Sequence, residues 1–493
     1  MTWRDDIPRA APPRVEPSWW MQQALLAEAP AASAERPLDG DVRCDVAIVG
    51  GGYTGLWTAL RLKEAEPSLR VVVLEAGICG QGASGRNGGF ATTWWHDLDA
   101  LERHVGAEQA RFLARASSDA IGEMETLCDE HGLDIHLRRG GKLVASAAPG
   151  QDGSWDAAVA AAERLGEAGR FEPLDGAAIR ARIGSPVLRD GYFIADSASI
   201  QPALLARGLR TAALRLGVAV HEHTPMTGLD RAAARVQTPR GTVSADRVVL
   251  ATNAWASSLP ELRGVLVPLS SHMLVTAPIP ERIEQLGWTG GEKLVDGRRL
   301  IHYLHVTRDG RIAFGRGGGA AGFRGRVGGR VIWDERLART VVADFRRFFP
   351  QLADVRIEAA WGGAVDRSWR HLPFFAPLPG ADRVLVGAGY SGDGVIPAVV
   401  GGRVLASLAL GRGDAWATCG MTTVPDHRQM PPEPFRKVGA EAIRALIARN
   451  EALEERGGRP GALARRTAGL AWLTLPARRS GATQVSDPGE RAL

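Results

Sequence analysis

The residues best placed to do chemistry stand in three glycine-rich turns. Gly50, Gly52 and Gly55 fit the spacing G-x-G-x-x-G, with Tyr53 and Thr54 between the last two. The first glycine permits a tight turn, the second lets backbone approach a pyrophosphate, and the third lets a helix pack close to a strand. The helix start that follows offers unpaired N–H groups and a positive dipole end to phosphate. Glu75 stands twenty residues beyond Gly55, where a carboxylate accepts hydrogen bonds from ribose hydroxyls. After Ala76 comes the second turn, residues 80–89 (GQGASGRNGG). Its Ser84, Gly85, Arg86, Asn87, Gly88 and Gly89 can bring backbone against a flat cofactor, with Arg86 free to meet phosphate or a polar ring edge. The third turn holds Gly387, Gly389, Gly392 and Gly394, just ahead of a helix that begins near Asp393.

Each turn alone also fits a plain surface loop, so the elements around it matter. Residues 44–49 (CDVAIV) and 71–74 (VVVL) read as buried parallel strands, and residues 54–64 carry apolar side chains at helical spacing. Strand, turn, helix and strand within about 33 residues make a βαβ unit. Further along, helices are expected over 101–131, 155–168, 202–216, 337–348, 393–410 and 435–456. Strands are expected over 141–145, 218–221, 242–243, 247–250 and 383–386, with an antiparallel sheet from 266–277 and 301–314. Residues 1–40, with Trp3, Trp19 and Trp20, read as an arm packed on the body.

Composition narrows the classes. The chain has 493 residues and is 45% hydrophobic, enough for about two to four domains and a sizeable core. That excludes a disordered tail protein and a disulfide mini-protein. The 60 glycines show no G-X-Y repeat, which excludes collagen. Cys44, Cys79, Cys128 and Cys419 form no C-x-x-C pair, which argues against a thiolate metal site and for a reducing compartment, the cytoplasm. No signal peptide and no membrane span are expected. Net charge is +5, but residues 421–493 carry twelve Lys/Arg against eight Asp/Glu. The body is therefore near neutral and shows no basic stripe for nucleic acid. Only Lys63, Lys142, Lys293 and Lys437 occur, so any catalytic lysine comes from a short set.

The segment VAIVGGGYTGLWTALRLKE…VVVLEAGICGQGASGRNGG resembles the FAD-binding start of the D-amino-acid oxidase, sarcosine oxidase and glycine oxidase superfamily. Its SGRNGG form is similar to the gamma-glutamylputrescine oxidase branch. RVVLATNAW (247–255) resembles the family's second strand and turn near the cofactor, with Ala251, Thr252 and Trp255. WGGAVDRSWRHLPFFAPLPG (361–380) and VLVGAGYSGDGV (384–395) resemble its closing flavin segments, and PPEPFRKVGAEAIRALI its tail. The resemblance spans roughly residues 40–455. It implies FAD, with Thr224 to Met226 by the adenine and Gly389, Tyr390, Gly392, Asp393, Gly394 and Val395 at the flavin. A helix N-terminus aimed at the flavin would stabilise the reduced ring. Relatives attach flavin through a C-terminal Cys or a His near the first loop. Here Ala364 and Val365 stand in the matching run and the first loop has no His before His96, so noncovalent FAD is expected.

The resemblance further implies oxidation of a C–N bond in a small polar amine or amino acid. Hydride leaves the α-carbon for flavin N5, the imine hydrolyses, and oxygen becomes hydrogen peroxide. Hydride loss needs a neutral amine, so desolvation matters more than a strong base. Candidates near the ring are His272, Trp361 and Tyr390 as catalytic residues, with Trp94, Trp95, His96 and Tyr303 also considered. His305 and Arg316, or Arg308, are candidates for substrate. Lys142, Lys293 or His272 could assist oxygen. Two alternatives stay open: a demethylase-type dehydrogenase passing electrons to another protein, and a noncatalytic flavoprotein subunit. Use of the first βα unit for NAD(P) is disfavoured by the third turn. The expected architecture is α/β, a discontinuous Rossmann-like FAD domain (41–135, 191–265, 356–420) with an α+β mixed-sheet substrate domain (136–190, 266–355), an arm (1–40) and a helical tail (421–493). Oligomeric state is left open.

Overall fold

The computed structural model describes residues 8, 10–28, 37–426, 431–461 and 464. Trp3 lies outside these residues, as do parts of the expected tail.

The apolar stretches VAIV, VVVL and VVL are buried on both faces, which only a parallel sheet covered on both sides allows. That sheet runs in the order Phe374–Leu378, Ala381–Ala388, Gly241–Leu250, Val42–Val49, Val71–Leu74, Ala219–His221. Every neighbouring pair but the first is parallel. The hairpin Gly228–Asp230/Arg235–Thr238 extends Gly241–Leu250. Register aligns the carboxyl ends in one row: Val49 lies opposite Leu74 and Leu250, and Leu250 opposite Val386. Ligands of open α/β sheets bind outside this edge, and it is from this edge that Gly50, Glu75, Ala251 and Gly387 emerge. Helices Tyr53–Ala65, Pro202–Arg215 and Val395–Ala409 cover one face with Leu56, Trp57, Leu205 and Val399.

Two expected elements differ in detail. The helix over 101–131 is divided into Leu98–Val105 and Ala107–His131 at Gly106, whose φ of 79° lies outside helical space. The strands at 242–243 and 247–250 are one strand, Gly241–Leu250.

A second eight-stranded sheet runs Ile357–Ser368, Leu266–Thr276, Ile312–Arg316, His302–Val306, Lys293–Asp296, Lys142–Ala145, Gly191–Ile194, Glu172–Leu174. It reaches across the divisions expected at 190 and 355, because Gly191–Ile194 and Ile357–Ser368 pair within it. Its back is covered by helix Glu335–Phe348. That helix places Val341, Phe345 and Phe348 on one side, as the 3.6-residue period requires, and they pack on Leu274, Leu294, Leu304 and Phe314. The front of the sheet faces the nucleotide-type domain.

Both ends of the described chain are tied to this frame. Helix Trp19–Ala27 buries Trp19, Trp20 and Met21 against Met273 and Trp361. Glu28 and Glu222 hold Arg207 in a buried ion-pair cluster. Helix Phe435–Glu454 lies along the second sheet, with Ala440 on Val267 and Ile447 on Leu300. Among the described residues no helix is long and apolar enough to cross a membrane.

Candidate active site

The two sheets enclose a cavity of about 1340 Å³ that reaches from Gly50 and Glu75 to Tyr390 and on to the C-terminal helix. Sites for one small molecule are usually about 300–1,000 Å³, so this one has room for a dinucleotide and a substrate together. At the first turn the glycines are required sterically. A Cβ on Gly50, whose φ is 114°, would stand 2.4 Å from the Ala251 carbonyl oxygen. A Cβ on Gly55 would stand 2.0 Å from the Gly50 oxygen, so helix and strand could not meet. Glu75 lines the cavity and also shapes the loop, accepting from the Gly51 N–H at 2.7 Å and the Gly77 N–H at 2.9 Å. Burial raises its carboxyl above the ordinary range. Ala76, Thr224, Met226, Thr252 and Trp255 line the same end.

The second turn is held from behind by the N-terminal arm. The Trp20 indole donates to the Asn87 carbonyl at 3.1 Å, and Ser18 Oγ donates to the Gly85 carbonyl at 2.5 Å. Trp361 lines the cavity, but its indole N–H donates to the Arg86 carbonyl at 2.9 Å and its ring meets Trp20 edge-on. Its position makes it a brace for the loop. The Arg86 guanidinium pairs with Glu16 and donates to the Gly362 carbonyl. Ser84, Arg86, Asn87 and Gly88 line the cavity, whereas Gly55, Gly85, Gly89 and Gly389 shape its backbone from behind.

The third turn closes on the first. Tyr390 Oη and Thr54 Oγ1 are 2.5 Å apart although 336 residues separate them in the chain. Burial raises the Tyr390 phenol, and its hydroxyl is committed to this bond. Asp366 anchors the turn through the Gly389 N–H at 2.6 Å, and burial lifts its carboxyl to about 7. Both helices that start at these turns, Tyr53–Ala65 and Val395–Ala409, have glycine at the N-cap and no side-chain cap. Apart from the Tyr53 N–H, which donates to Ser84 Oγ at 2.9 Å, their first N–H groups are left for a ligand. Glycine space, uncapped helix ends, the Glu75 carboxylate and the cavity size all fit FAD.

The two-residue period of strands decides which candidates reach the substrate side. On Leu266–Thr276, Ser271 and Met273 face the cavity, so His272 faces the back of the sheet. Its Nε2 accepts the Asp334 N–H at 2.8 Å, its Nδ1 meets Ser270 Oγ, and burial lowers its pKa to about 4. Arg316 is paired opposite His272 and therefore also points backward, bound to Asp344. The expectation of His272 as a catalytic group and of Arg316 as a substrate clamp therefore does not fit the placement of these residues. His305 shares a face with Tyr303, but Trp20 and Phe90 cover it, and burial lowers its pKa to about 4. It does not line the cavity either. Trp94 and Trp95 are core residues, and Arg308 is an exposed partner of Asp134.

The groups that do face the inner cavity include Tyr303, held to Ser271 Oγ at 2.8 Å, and a charged cluster. His96 Nδ1 meets the Thr93 carbonyl at 2.6 Å, while Nε2 lies 3.2 Å from Asp97 and 3.5 Å from Asp393. Lys142 lines the cavity and is 4% exposed. Burial lowers its pKa to about 8, against the opposing pull of Asp393 and Asp97. Among the described residues no acceptor is hydrogen-bonded to its ammonium. Arg367, also buried on the cavity wall, donates to the Ser391 carbonyl and His371 Nε2, and burial lowers its pKa to about 9. Asp366 and Arg367 were not singled out in the sequence. The signal lay in the quoted run WGGAVDRSWR, where alternation from Trp361 puts Arg367 on the cavity side.

The comparisons agree with this geometry. A family profile described as "DAO: FAD dependent oxidoreductase" matches residues 45–408. The chain is 31% identical to the gamma-glutamylputrescine oxidoreductase of Escherichia coli (strain K12), covering 82% of this chain and 92% of that one. It is 30% identical to the probable oxidoreductase OrdL of Rhizobium meliloti (strain 1021), covering 84% and 91%. Among solved structures, glycine oxidase from Geobacillus kaustophilus superposes with a TM-score of 0.62 at 21% identity, covering 78% of this chain and 99% of that one. The chain belongs to the DAO family of FAD-dependent oxidoreductases, and FAD is its cofactor.

Proposed function

We propose that the protein is an oxidase of a small polar amine or amino acid and holds FAD noncovalently. The observation that carries this reading is the buried Lys142 amine nitrogen, which faces the same cavity as the cofactor turns and has no hydrogen-bond partner among the described residues. Similarity to proteins named for gamma-glutamylputrescine and for glycine supports a C–N substrate. FAD, when bound, supplies the two-electron acceptor that takes hydride from the α-carbon and passes the electrons to oxygen as hydrogen peroxide.

The chain's own residues prepare the amine. An ammonium has no lone pair to expel hydride, so one proton must leave nitrogen first. Lys142 Nζ, in the amine form that burial makes accessible by lowering its pKa to about 8, receives that proton. Asp393 and Asp97 then offset the new charge. Tyr303, Trp361 and Val144 wall the chamber and exclude water, which keeps the amine neutral. The imine released from the chamber hydrolyses to aldehyde or keto acid. No cysteine lines the cavity among the described residues, and His96 Nε2 is engaged by two carboxylates, which favours noncovalent FAD.

The test is an anaerobic screen of purified holoprotein with polyamines, N-methyl amino acids, D-amino acids and aminophosphonates, followed by aeration. Bleaching of the flavin band and then peroxide are expected with one class. Bleaching without peroxide on aeration would indicate a dehydrogenase, and a flavin unmoved by every amine would overturn the reading.

A further inference from the structure

Resting on the amine reading above, we propose that the outer end of the cavity is a second subsite, built by the C-terminal helix, for the distal ammonium of an extended diamine-like substrate. The cavity continues past the flavin turns to Gly150, Gly297, Ile447, Asn450 and Glu454. Lys142–Ala145 and Lys293–Asp296 run side by side in register toward it. Four strand residues cover about 10 Å, so the outer wall lies on the order of 10 Å or more from Lys142. A single-headed amine bound at the inner cluster would not reach it.

The wall is fixed in place. Arg298, whose side chain is 2% exposed, binds Glu451 at 2.8 Å and Glu455 at 2.6 Å. Glu451 also accepts the N–H groups of Arg299 and Leu300, which saturates it. Glu454, three residues on, turns its carboxylate over Gly150, where a Cβ would stand 2.3 Å from the carboxyl carbon. Among the described residues no donor is hydrogen-bonded to that carboxylate. Burial, with Glu451 beside it, raises its pKa. A half-buried carboxylate short of donors, at the end of a substrate-sized channel, suits an ammonium, which brings three donors and the opposite charge. Arg298 and Arg299 line the same wall and pull the Glu454 carboxyl the other way, but Arg298 is committed to Glu451 and Glu455. The helix starts at Phe435, beyond residues 45–408 that the family profile matches.

The experiment titrates the holoprotein anaerobically with hexamethylenediamine, ethylenediamine and hexylamine. Binding is read by calorimetry and flavin reduction by absorbance. Wild type should bind hexamethylenediamine about tenfold more tightly than either other amine, and Glu454→Gln should erase that preference while hexylamine binding and the flavin spectrum stay unchanged. No preference in wild type, or the same preference in the variant, overturns the subsite. Preferential binding without flavin reduction by any amine leaves the subsite standing and removes the amine-oxidation reading. Reduction without preference does the reverse.

Discussion

Lys142 and Lys293 occupy paired positions on neighbouring parallel strands, both buried, and only one of them is satisfied. Lys293 Nζ donates to the carbonyls of Ala91 and Ala198, each at 2.8 Å, and burial with Lys142 beside it holds its pKa well below the ordinary value. Lys142 faces the cavity without such a bond. A chain with four lysines has placed two of them here, one as a strut and one open to the site.

Lys142 should impose a pH dependence of known sign. Its pKa falls from 10.5 to about 8 on folding, so the cost of charging it, on the order of 3 kcal/mol, is fully present below pH 8. Between pH 8 and 10.5 the unfolded chain holds more protons, stability rises with pH, and above 10.5 the cost is gone. Lys142→Met apoprotein should therefore melt at a higher temperature than wild type at pH 7, and the gap should close at high pH. In wild-type holoprotein the rate of flavin reduction should climb through about pH 8, and in Lys142→Met that step should be absent by stopped flow.

Gly55→Ala should yield protein with little or no FAD. Its Cβ would sit 2.0 Å from the Gly50 oxygen, which is backbone and cannot swing aside. Overpacking of this kind costs about 1–3 kcal/mol or more, and here the strain falls on the pyrophosphate turn. Gly413→Ala, with nothing within 4 Å, is the control and should keep full flavin content by absorbance.

Trp20→Ala should loosen the cofactor from outside the cavity. The side chain is 1% exposed and supports both Asn87 and Trp361. Loss of a buried Trp costs about 3–5 kcal/mol, seen as a lower melting temperature and brighter flavin fluorescence as FAD escapes. Trp20→Phe keeps the packing and loses one hydrogen bond, about 1 kcal/mol, so it should fall between.

Acid precipitation should release all flavin into the supernatant as FAD, leaving a colourless pellet. A yellow pellet that persists after washing would mean a covalent link, and peptide mapping would then point to His96 or His371, the histidines on the cavity wall.

What could be read along the chain, and what could not, follows from the range of the forces involved. The nucleotide-binding half was legible because its signals are local. Gly50, Gly52 and Gly55 answer clashes within one turn, VVVL and VAIV are apolar because central strands are buried on both faces, and Glu75 follows from the length of one βαβ unit. These constraints act over a few residues and leave a mark in composition and spacing. The substrate half obeyed longer-range choices. Whether His272 or Ser271 faces the chamber is a matter of strand parity, and a shift of one residue reverses it. Pairing Lys142 with Lys293 depends on register between segments 151 positions apart in number. Joining Thr54 to Tyr390 requires the distant strand Ala381–Ala388 to find the first sheet, while bracing Asn87 with Trp20 and laying Glu454 across the outer end of the cavity require the two sheets to pack first. Parity, register and docking are settled by the burial of whole faces, an energy summed over many side chains, and no short stretch of residues contains that sum.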